Sequence, residues 1–270
     1  MSSPSRDASV ELPAVDEHIV VPDCGYEIDD GEIVLVPPSL EPHAERHSKL
    51  AALLEAHAAL ELKVAVDMLT RTSVTSDRAP DASVYPRARD PRTGGRQLEH
   101  LAFEVVSTES LGHAGRKAAS LADRGVRRVF AIDLKEVCVL EWAHDRGQWD
   151  PLDGDASISD PALVTPLPVR ALLRDAEADY AVGRALVIKR NPAIEEARQE
   201  SKAEGKSEGI AEGRVHGLAE AVLAVLASRA LALAPHEREQ ILGERDLARV
   251  ERWLARVATC ESAAELLAIR

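Results

Sequence analysis

The chain has 270 residues, 45% hydrophobic and 29% charged, which is typical of a soluble globular protein with one sizeable core and an appendage. Aromatic residues make up only 3%, which argues against a stacking platform for single-stranded nucleic acid. The formal net charge of -13 excludes a protein that coats nucleic acid through its overall charge, because that binding depends on Lys and Arg. An enzyme that meets DNA over a local patch remains compatible with this charge.

Cysteine spacing and hydropathy predict a reduced, cytoplasmic setting. Cys24, Cys138 and Cys260 are odd in number and far apart, which favours neither a disulfide framework nor a zinc site. Residues 1–17 contain no apolar run, so no signal peptide is expected. The longest apolar-looking stretch, 218–234, carries two charged residues and is therefore not expected to span a membrane.

The first half of the chain predicts short strands around one helix. Residues 1–20 are expected to form a flexible leader. The following elements are a hairpin at 26–36 with its turn at Asp30-Gly31, a helix at 43–62, and strand-like pieces at 62–66, 68–75 and 81–85.

The next segment alternates strands with a helix. A loop rich in Pro, Gly and Arg at 87–96 precedes a buried strand at 101–107, a helix at 113–124 that Gly125 ends, and strands at 126–133 and 137–142. This alternation predicts an α/β fold with a mixed β-sheet flanked by helices.

The C-terminal part has a different composition. A helix is expected at 171–190, and glycine then recurs every four residues at Gly205, Gly209, Gly213 and Gly217. Each glycine costs a helix about 1 kcal/mol relative to Ala, so 200–217 is either a linker, a weak helix or a stripe for close helix packing. Residues 218–270 are amphipathic and predict a small helical module with a break near Pro235.

Asp81, Glu104 and Lys117 are the candidate catalytic residues. Asp81 precedes a short apolar strand, Glu104 lies within another, and Lys117 follows on a predicted helix. Two carboxylates suit Mg²⁺ or Mn²⁺, and hydrolysis of a phosphodiester needs a metal, a positioned water and a cation. The spacing alone is weak evidence, because Pro-Asp is a common turn dipeptide and a strand Glu is often an edge residue.

Six blocks in order strengthen this interpretation, and with them the chain resembles the Uma-type restriction endonuclease family, a branch of the PD-(D/E)XK nuclease superfamily. The resemblance covers about residues 20–150. The blocks are 25–32, the helix with His47, Leu50 and Leu54, Pro80-Asp81, 104–108, Lys117 with Leu121, and Gly125-Val126 followed by 129–133.

The resemblance implies a restriction-endonuclease-like domain at 21–168 that cuts DNA with a divalent metal. Asp81 and Glu104 then correspond to the metal carboxylates. Lys117 corresponds to the family's lysine, relocated from the strand to the following helix, since Val106 occupies the commoner position two residues after the second acid. The remaining parts would be a helical extension at 169–199, the glycine-repeat segment at 200–217 and the helical module at 218–270.

Some positions depart from the family pattern and keep an alternative open. His113 stands where an aspartate is common, Leu121 stands where a tyrosine is common, and no Pro follows Ser107. A catalytically degenerate binding module, acting through a partner or as a homodimer through its helical tail, is the alternative function.

Two further residues have a functional and a plain interpretation. Glu27 is either an additional acid of the metal site or an exposed hairpin carboxylate. His47 is either a contact to phosphate or to a metal-bound water, or an ordinary residue at the start of a helix. Asp133, at the end of a strand, is expected to be a turn residue.

The arginine-rich loop is a candidate DNA-contacting surface. Residues 85–128 carry nine basic and five acidic residues, a difference of +4 in a chain whose total is -13. Arg87, Arg89, Arg92 and Arg96 would face a phosphate backbone if this loop lies beside the metal site. The alternative is a solvated loop without a ligand.

Overall fold

The structure is a computed structural model that describes residues 11–21, 25–36 and 38–268; Cys24 lies outside these residues. The chain divides after Asn191 into two compact units. The elements of the first unit are β1 (Tyr26–Asp29), β2 (Glu32–Leu35), α1 (Glu41–His57), β3 (Leu62–Val66), β4 (Thr70–Arg71), β5 (Asp77–Arg78), β6 (Ala82–Pro86), β7 (Leu101–Val106), α2 (Leu111–Arg124), β8 (Arg128–Asp133), β9 (Cys138–Ala143), β10 (Gln148–Pro151), β11 (Ser157–Ile158), β12 (Leu167–Pro168) and α3 (Asp175–Ile188).

The central sheet of the first unit has six strands in the order β10-β9-β8-β7-β6-β3. The β7–β8 pair is parallel and the other four pairs are antiparallel, so the sheet is mixed. Helix α2 provides the crossover between the two parallel strands, as such a connection requires. The predicted fold class is confirmed.

Strand β7 is buried on both faces and separates two layers. Leu101, Phe103 and Val105 belong to the apolar cluster that includes Leu50 and Leu54 of α1. The intervening residues point to the other face, where Ala102 packs with residues of α2. Helices therefore cover both faces of the sheet, and Glu104 lies on the α2 side.

A second, four-stranded sheet has the order β2-β1-β5-β4. It contains the predicted hairpin, whose turn residues Asp30 and Gly31 both have positive φ. The preceding segment is bound to this sheet, because the backbone amide of Val20 donates to Asp77 Oδ2 at 2.9 Å and that of Arg71 donates to the Val15 carbonyl oxygen.

The second unit is helical and consists of α4 (Pro192–Ser228), α5 (Pro235–Gly243), α6 (Leu247–Arg256) and α7 (Ala263–Leu267). The glycine repeat lies within α4, in its solvent-exposed part, and a Cβ added at any of the four glycines would meet no described atom within 4 Å. From Val215 onward α4 packs on the apolar core around Trp253. None of the helices in the described residues has an apolar stretch long enough to cross a bilayer.

Local deviations from the predicted elements follow from packing. Helix α1 ends at His57, five residues before the predicted end, because Ala58 and Ala59 turn to bond with the 162–163 segment. The strand predicted at 68–75 is reduced to β4. Helix α2 ends as predicted, with Gly125 at a φ of 113°.

Candidate active site

Strand register brings Asp81 next to Glu104. Residue Ala82 of β6 lies opposite Phe103 of β7, so Asp81, which precedes β6, lies beside the following residues of β7. The Asp81 Oδ2 atom accepts a hydrogen bond from the Val105 backbone amide at 2.5 Å. The bond fixes the Oδ2 atom of Asp81, while the Oδ1 atom lies 3.7 Å from His43 Nε2.

Lys117 lies over Glu104 from helix α2. Its Nζ atom is 2.9 Å from Glu104 Oε2 and 3.3 Å from Glu27 Oε1, and it donates to the Ala79 carbonyl oxygen at 2.7 Å. Lys117 is 7% exposed and Glu104 is completely buried. Lys117 therefore donates a hydrogen bond to the Ala79 carbonyl and forms ion pairs with two buried carboxylates.

Burial and charge act in opposite directions on this pair. Burial raises the pKa of Glu104 well above its usual range, and Asp81 and Glu27 add to this, while Lys117 opposes it. Burial works to lower the pKa of Lys117, but the carboxylates of Glu104, Glu27 and Asp81 outweigh it and raise that pKa. Lys117 is therefore charged, and an additional cation near Glu104 would favour its ionised form.

The Glu104 carboxylate has spare capacity for a cation. Its Oε1 atom is buried and has no hydrogen-bond partner among the described residues. An unsatisfied buried carboxylate oxygen is costly and is commonly completed by a bound ion. Together with Asp81 Oδ1, this atom provides the hard oxygen donors that Mg²⁺ and Mn²⁺ prefer, so these residues fit the metal that the resemblance implies.

Two histidines of α1 and one further aspartate surround Asp81. His47 Nε2 contacts the Asp81 carbonyl oxygen and lies 3.8 Å from Asp67 Oδ1. His43 Nε2 lies 3.7 Å from Asp81 Oδ1. The ligand atoms of His47, Asp67 and Asp81 all lie within 4.8 Å of one another, a grouping that could hold a metal ion.

His43, Asp67 and Asp81 border a cleft of about 990 Å³, which Glu27 and Lys117 also line. One wall of the cleft is apolar and is formed by β2 and the segment after it. The acidic wall includes Glu27, Asp67 and Asp81. The described lining residues are Val20, Gly25, Tyr26, Glu27, Val34, Leu35, Val36, Pro38, Ser39, Leu40, His43, Asp67, Leu69, Ala79, Asp81, Ser107, Thr108, Glu109, His113 and Lys117.

Glu27 lies inside the site. It is 3% exposed, its Oε1 atom accepts from the Ala79 backbone amide at 3.1 Å, and its Oε2 atom lies 3.7 Å from the guanidinium of Arg78. The interpretation of Glu27 as an exposed hairpin carboxylate is therefore wrong.

The arginine-rich loop does not line the cleft. Arg87 follows the end of β6 opposite to Asp81, and Arg87, Arg89 and Arg92 are exposed. Arg96 is 8% exposed and its guanidinium bonds to Glu99 Oε1 at 2.7 Å and to the Leu69 carbonyl oxygen at 2.9 Å. The expected solvent-facing position of Arg96 is therefore incorrect, since internal acceptors bind its guanidinium.

Asp67 and His43 are site residues that the sequence analysis did not identify. Asp67 directly follows β3, whose Val66 lies opposite Ala82, so the two aspartates flank the same end of a strand pair. His43 lies one helical turn before His47 on α1. Two sequence features could have indicated these residues. His43 and His47 are four residues apart on one predicted helix, and Asp67 follows one predicted strand while Asp81 lies at the start of another.

The remaining residues discussed from the sequence have structural explanations. Asp133 Oδ1 accepts from the backbone amides of Lys135 and Glu136, as expected of a turn residue. Leu121 is fully buried among apolar residues of the α2 layer. His113 lies at the cleft, 3.7 Å from Glu109 Oε2.

Comparisons with known proteins identify the family of this chain. A family model, Uma2, described as "Putative restriction endonuclease", matches residues 13–169. Among solved structures, a "putative nuclease belonging to DUF820" from Anabaena variabilis ATCC 29413 aligns with 15% identity and a TM-score of 0.47, covering 57% of this chain and 90% of that chain. A search of curated proteins found no match. Because the family match spans more than half of the chain, this protein belongs to the Uma2 family.

Proposed function

We propose that this protein is a metal-dependent endonuclease that hydrolyses phosphodiester bonds of DNA. The observation that carries the proposal is the buried Glu104 carboxylate, whose Oε1 atom lacks a hydrogen-bond partner among the described residues and whose strand neighbour Val105 anchors Asp81. The family description supports nucleic acid as the substrate, and DNA in particular.

In this proposal Asp81 and Glu104 hold Mg²⁺ or Mn²⁺. A bound divalent cation lowers the pKa of a water ligand and polarises a phosphate oxygen. Asp81 would contribute its Oδ1 atom, while its Oδ2 atom keeps the carboxylate oriented through the Val105 amide. Glu104 contributes from the interior of β7, a rigid element that limits how far the two carboxylates can move apart.

Lys117 neutralises negative charge in this site. Its ammonium group bonds to Glu104, Glu27 and the Ala79 carbonyl, so it compensates the buried negative charge and orients the Glu104 carboxylate. Contact with a phosphate would require Lys117 to give up one of these acceptors. We therefore propose that Lys117 acts mainly as a positioning residue for Glu104, and Glu27 as the acceptor that holds Lys117.

The exposed arginines are proposed as contacts to the DNA backbone away from the scissile bond. Arg87, Arg89 and Arg92 remain in this role, while Arg96 is removed from it because it is buried. Phosphate contacts position a duplex and contribute salt-dependent affinity. The predicted cytoplasmic location and the predicted homodimer stay predictions.

The test is a plasmid-nicking assay with Mg²⁺ and with Mn²⁺. Glu104→Gln and Asp81→Asn remove one negative charge each with little change in shape, and we expect each to lower cleavage by at least about 100-fold, the upper range for loss of residues that support a metal. The matched control is Glu109→Gln, which alters a carboxylate of the same cleft outside the buried cluster. Equal cleavage by all variants, or metal-independent cleavage, would refute the proposal.

The same assay distinguishes an active nuclease from the alternative, a catalytically degenerate binding module. A chain that binds divalent cations and DNA but nicks neither supercoiled nor linear substrates would support that alternative. The proximity of Asp81, Glu104 and Lys117, with Asp81 and Lys117 lining the cleft, is the observation that favours catalysis.

A further inference from the structure

We propose that the site contains a second cation position, made by His47, Asp67 and Asp81, that selects Mn²⁺ or a similar transition-metal ion over Mg²⁺. The inference rests on the proposed function in one respect, since Asp81 would be shared with the Asp81–Glu104 position. It goes further by assigning His47 and Asp67 as ligands and by naming the class of ion.

The three residues are held together by one carbonyl group. The Asp81 carbonyl oxygen accepts from the Asp67 backbone amide at 3.3 Å and also contacts His47 Nε2. The potential ligand atoms lie within 4.8 Å of one another, somewhat more than the maximum of about 4.2 Å for two donors with metal bonds of about 2.1 Å. The Asp67 side chain is 67% exposed, so its carboxylate has room to rotate toward a bound ion.

A separate observation also points to a cation here. Glu104 is completely buried on β7, next to Asp81 in the strand register, and neither oxygen of its carboxylate has a hydrogen-bond partner in the described part of the chain. Asp67, Asp81, Glu104 and Glu27 carry four carboxylates, against which Lys117 and Arg78 provide two buried cationic groups. This local excess of negative charge favours binding of more than one positive charge.

The donor set decides the class of ion. Mg²⁺ prefers oxygen ligands in a regular octahedron and gives up its waters reluctantly, whereas imidazole nitrogen suits transition metals. One imidazole with two carboxylates is a mixed nitrogen and oxygen set, which Mn²⁺, Co²⁺ or Zn²⁺ accept more readily. The Asp81–Glu104 position offers carboxylate oxygens and would take Mg²⁺ as well.

A metal ion can bind the Nε2 atom of His47 in only one tautomer of the imidazole. As an N–H group, Nε2 donates to the Asp81 carbonyl oxygen, so it has no lone pair for a metal. Ligation requires the proton on Nδ1 and exchanges this hydrogen bond for a metal bond. The net charge of the imidazole does not change in this exchange.

The experiment measures binding of Mn²⁺ and Mg²⁺ to the full-length chain by titration calorimetry. For Mn²⁺, electron spin-echo spectroscopy detects nitrogen bound to the ion. We expect a directly coordinated imidazole nitrogen in the unmodified protein. His47→Gln should remove this signal and weaken Mn²⁺ binding by at least about 10-fold, while Mg²⁺ affinity stays within about twofold because its oxygen donors remain.

The controls separate a ligand from a general structural effect. His113→Gln removes another imidazole of the same cleft and should leave the nitrogen signal and both affinities unchanged. Asp67→Asn should weaken Mn²⁺ binding and keep the nitrogen signal. Thermal unfolding of each variant shows whether it is folded, and a His47→Gln chain that does not fold is replaced by Asp67→Asn as the deciding variant.

Two results would overturn the inference. One is the absence of a nitrogen signal from the Mn²⁺-loaded protein, and the other is a signal that persists in His47→Gln but disappears in His43→Gln. The two proposals fail in different ways. If Mn²⁺ binds through imidazole but the protein cuts no DNA, the second cation position is supported and the nuclease function is refuted. If the protein cuts DNA in Mg²⁺ but no imidazole binds Mn²⁺, the nuclease function is supported and the second cation position is refuted.

Discussion

The two faces of β7 use the same strand for different purposes. On the α1 side, Leu101, Phe103 and Val105 join a continuous apolar cluster. On the α2 side, Glu104 stands between Ala102 and Val106 and bonds to Lys117. Both faces are fully buried, and the Lys117 ammonium group from α2 makes the second arrangement tolerable, because an isolated buried carboxylate is costly. One face of β7 therefore contributes to the apolar core, and the other face carries a residue of the candidate site.

Lys117→Met gives the strongest test of the α2 face. The variant leaves Glu104 and Glu27 buried without their ammonium partner, and removal of one partner from a buried ion pair lowers the free energy of unfolding by about 3–5 kcal/mol. Urea denaturation measures the loss. The exposed Lys135→Met is the control and should stay within about 0.5 kcal/mol. Adding Glu104→Gln to Lys117→Met should restore part of the stability, and no recovery would contradict the charge-based account.

Phe103→Ala tests the α1 face. Phe103 is fully buried and stacks on Phe130 with ring centroids 5.0 Å apart, so truncation is expected to lower the free energy of unfolding by about 3–5 kcal/mol. Cleavage and metal affinity per folded molecule should be retained, because the side chain points away from Glu104. Loss of metal binding in a sample that circular dichroism shows to be folded would mean that the two faces are not separable.

His57 provides a pH test of the α1 side. Burial lowers the pKa of His57 below its usual 6.5, assisted by Lys189, while the hydrogen bond to the Leu53 carbonyl opposes the shift. The unfolded chain therefore takes up a proton before the folded chain does as pH falls below 6.5. The free energy of unfolding should be highest above that pH and decline below it.

Urea denaturation of His57→Gln and of the unmodified chain between pH 7.5 and 5 measures this effect, and the control is His144→Gln, at an exposed position. The decline should be smaller in His57→Gln only. An identical pH dependence in all three chains would contradict a neutral, buried His57.

The smallest effect is expected outside both faces, in the arginine-rich loop. Arg87→Gln, Arg89→Gln and Arg92→Gln should each weaken DNA binding uniformly across sequences and reduce the salt dependence by about one phosphate contact. Fluorescence anisotropy at several salt concentrations gives this slope. Arg146→Gln, an exposed arginine in the turn between β9 and β10, is the control. Unchanged slopes in the three loop variants would exclude the loop as a DNA contact.

Much of the fold could be predicted from local patterns. The hairpin at Asp30-Gly31, the buried strand containing Glu104 and the helix ended by Gly125 depend on turn chemistry and apolar periodicity, which act over a few residues. The glycine repeat was ambiguous because four glycines weaken a helix, yet they lie within the 37-residue α4.

The site could be predicted only in part. Asp81, Glu104 and Lys117 were recognisable from their residue types and surrounding blocks, and Glu27 and His47 were open alternatives. Asp67 was not recognisable, because its proximity to Asp81 depends on the pairing of β3 with β6. Arg96 was misjudged for a similar reason, since its guanidinium bonds to the Leu69 carbonyl, which tertiary structure brings to it, as well as to the nearby Glu99.

Local patterns were sufficient for the mixed α/β class, the order of its elements and the identity of the acidic residues, because periodicity, turn residues and side-chain chemistry are local properties. The pairing of distant groups came from the three-dimensional fold: Lys117 meets Glu104 and Glu27, and His47 meets Asp67 and Asp81. These contacts join residues up to 90 positions apart, so their distances follow from strand register and helix packing.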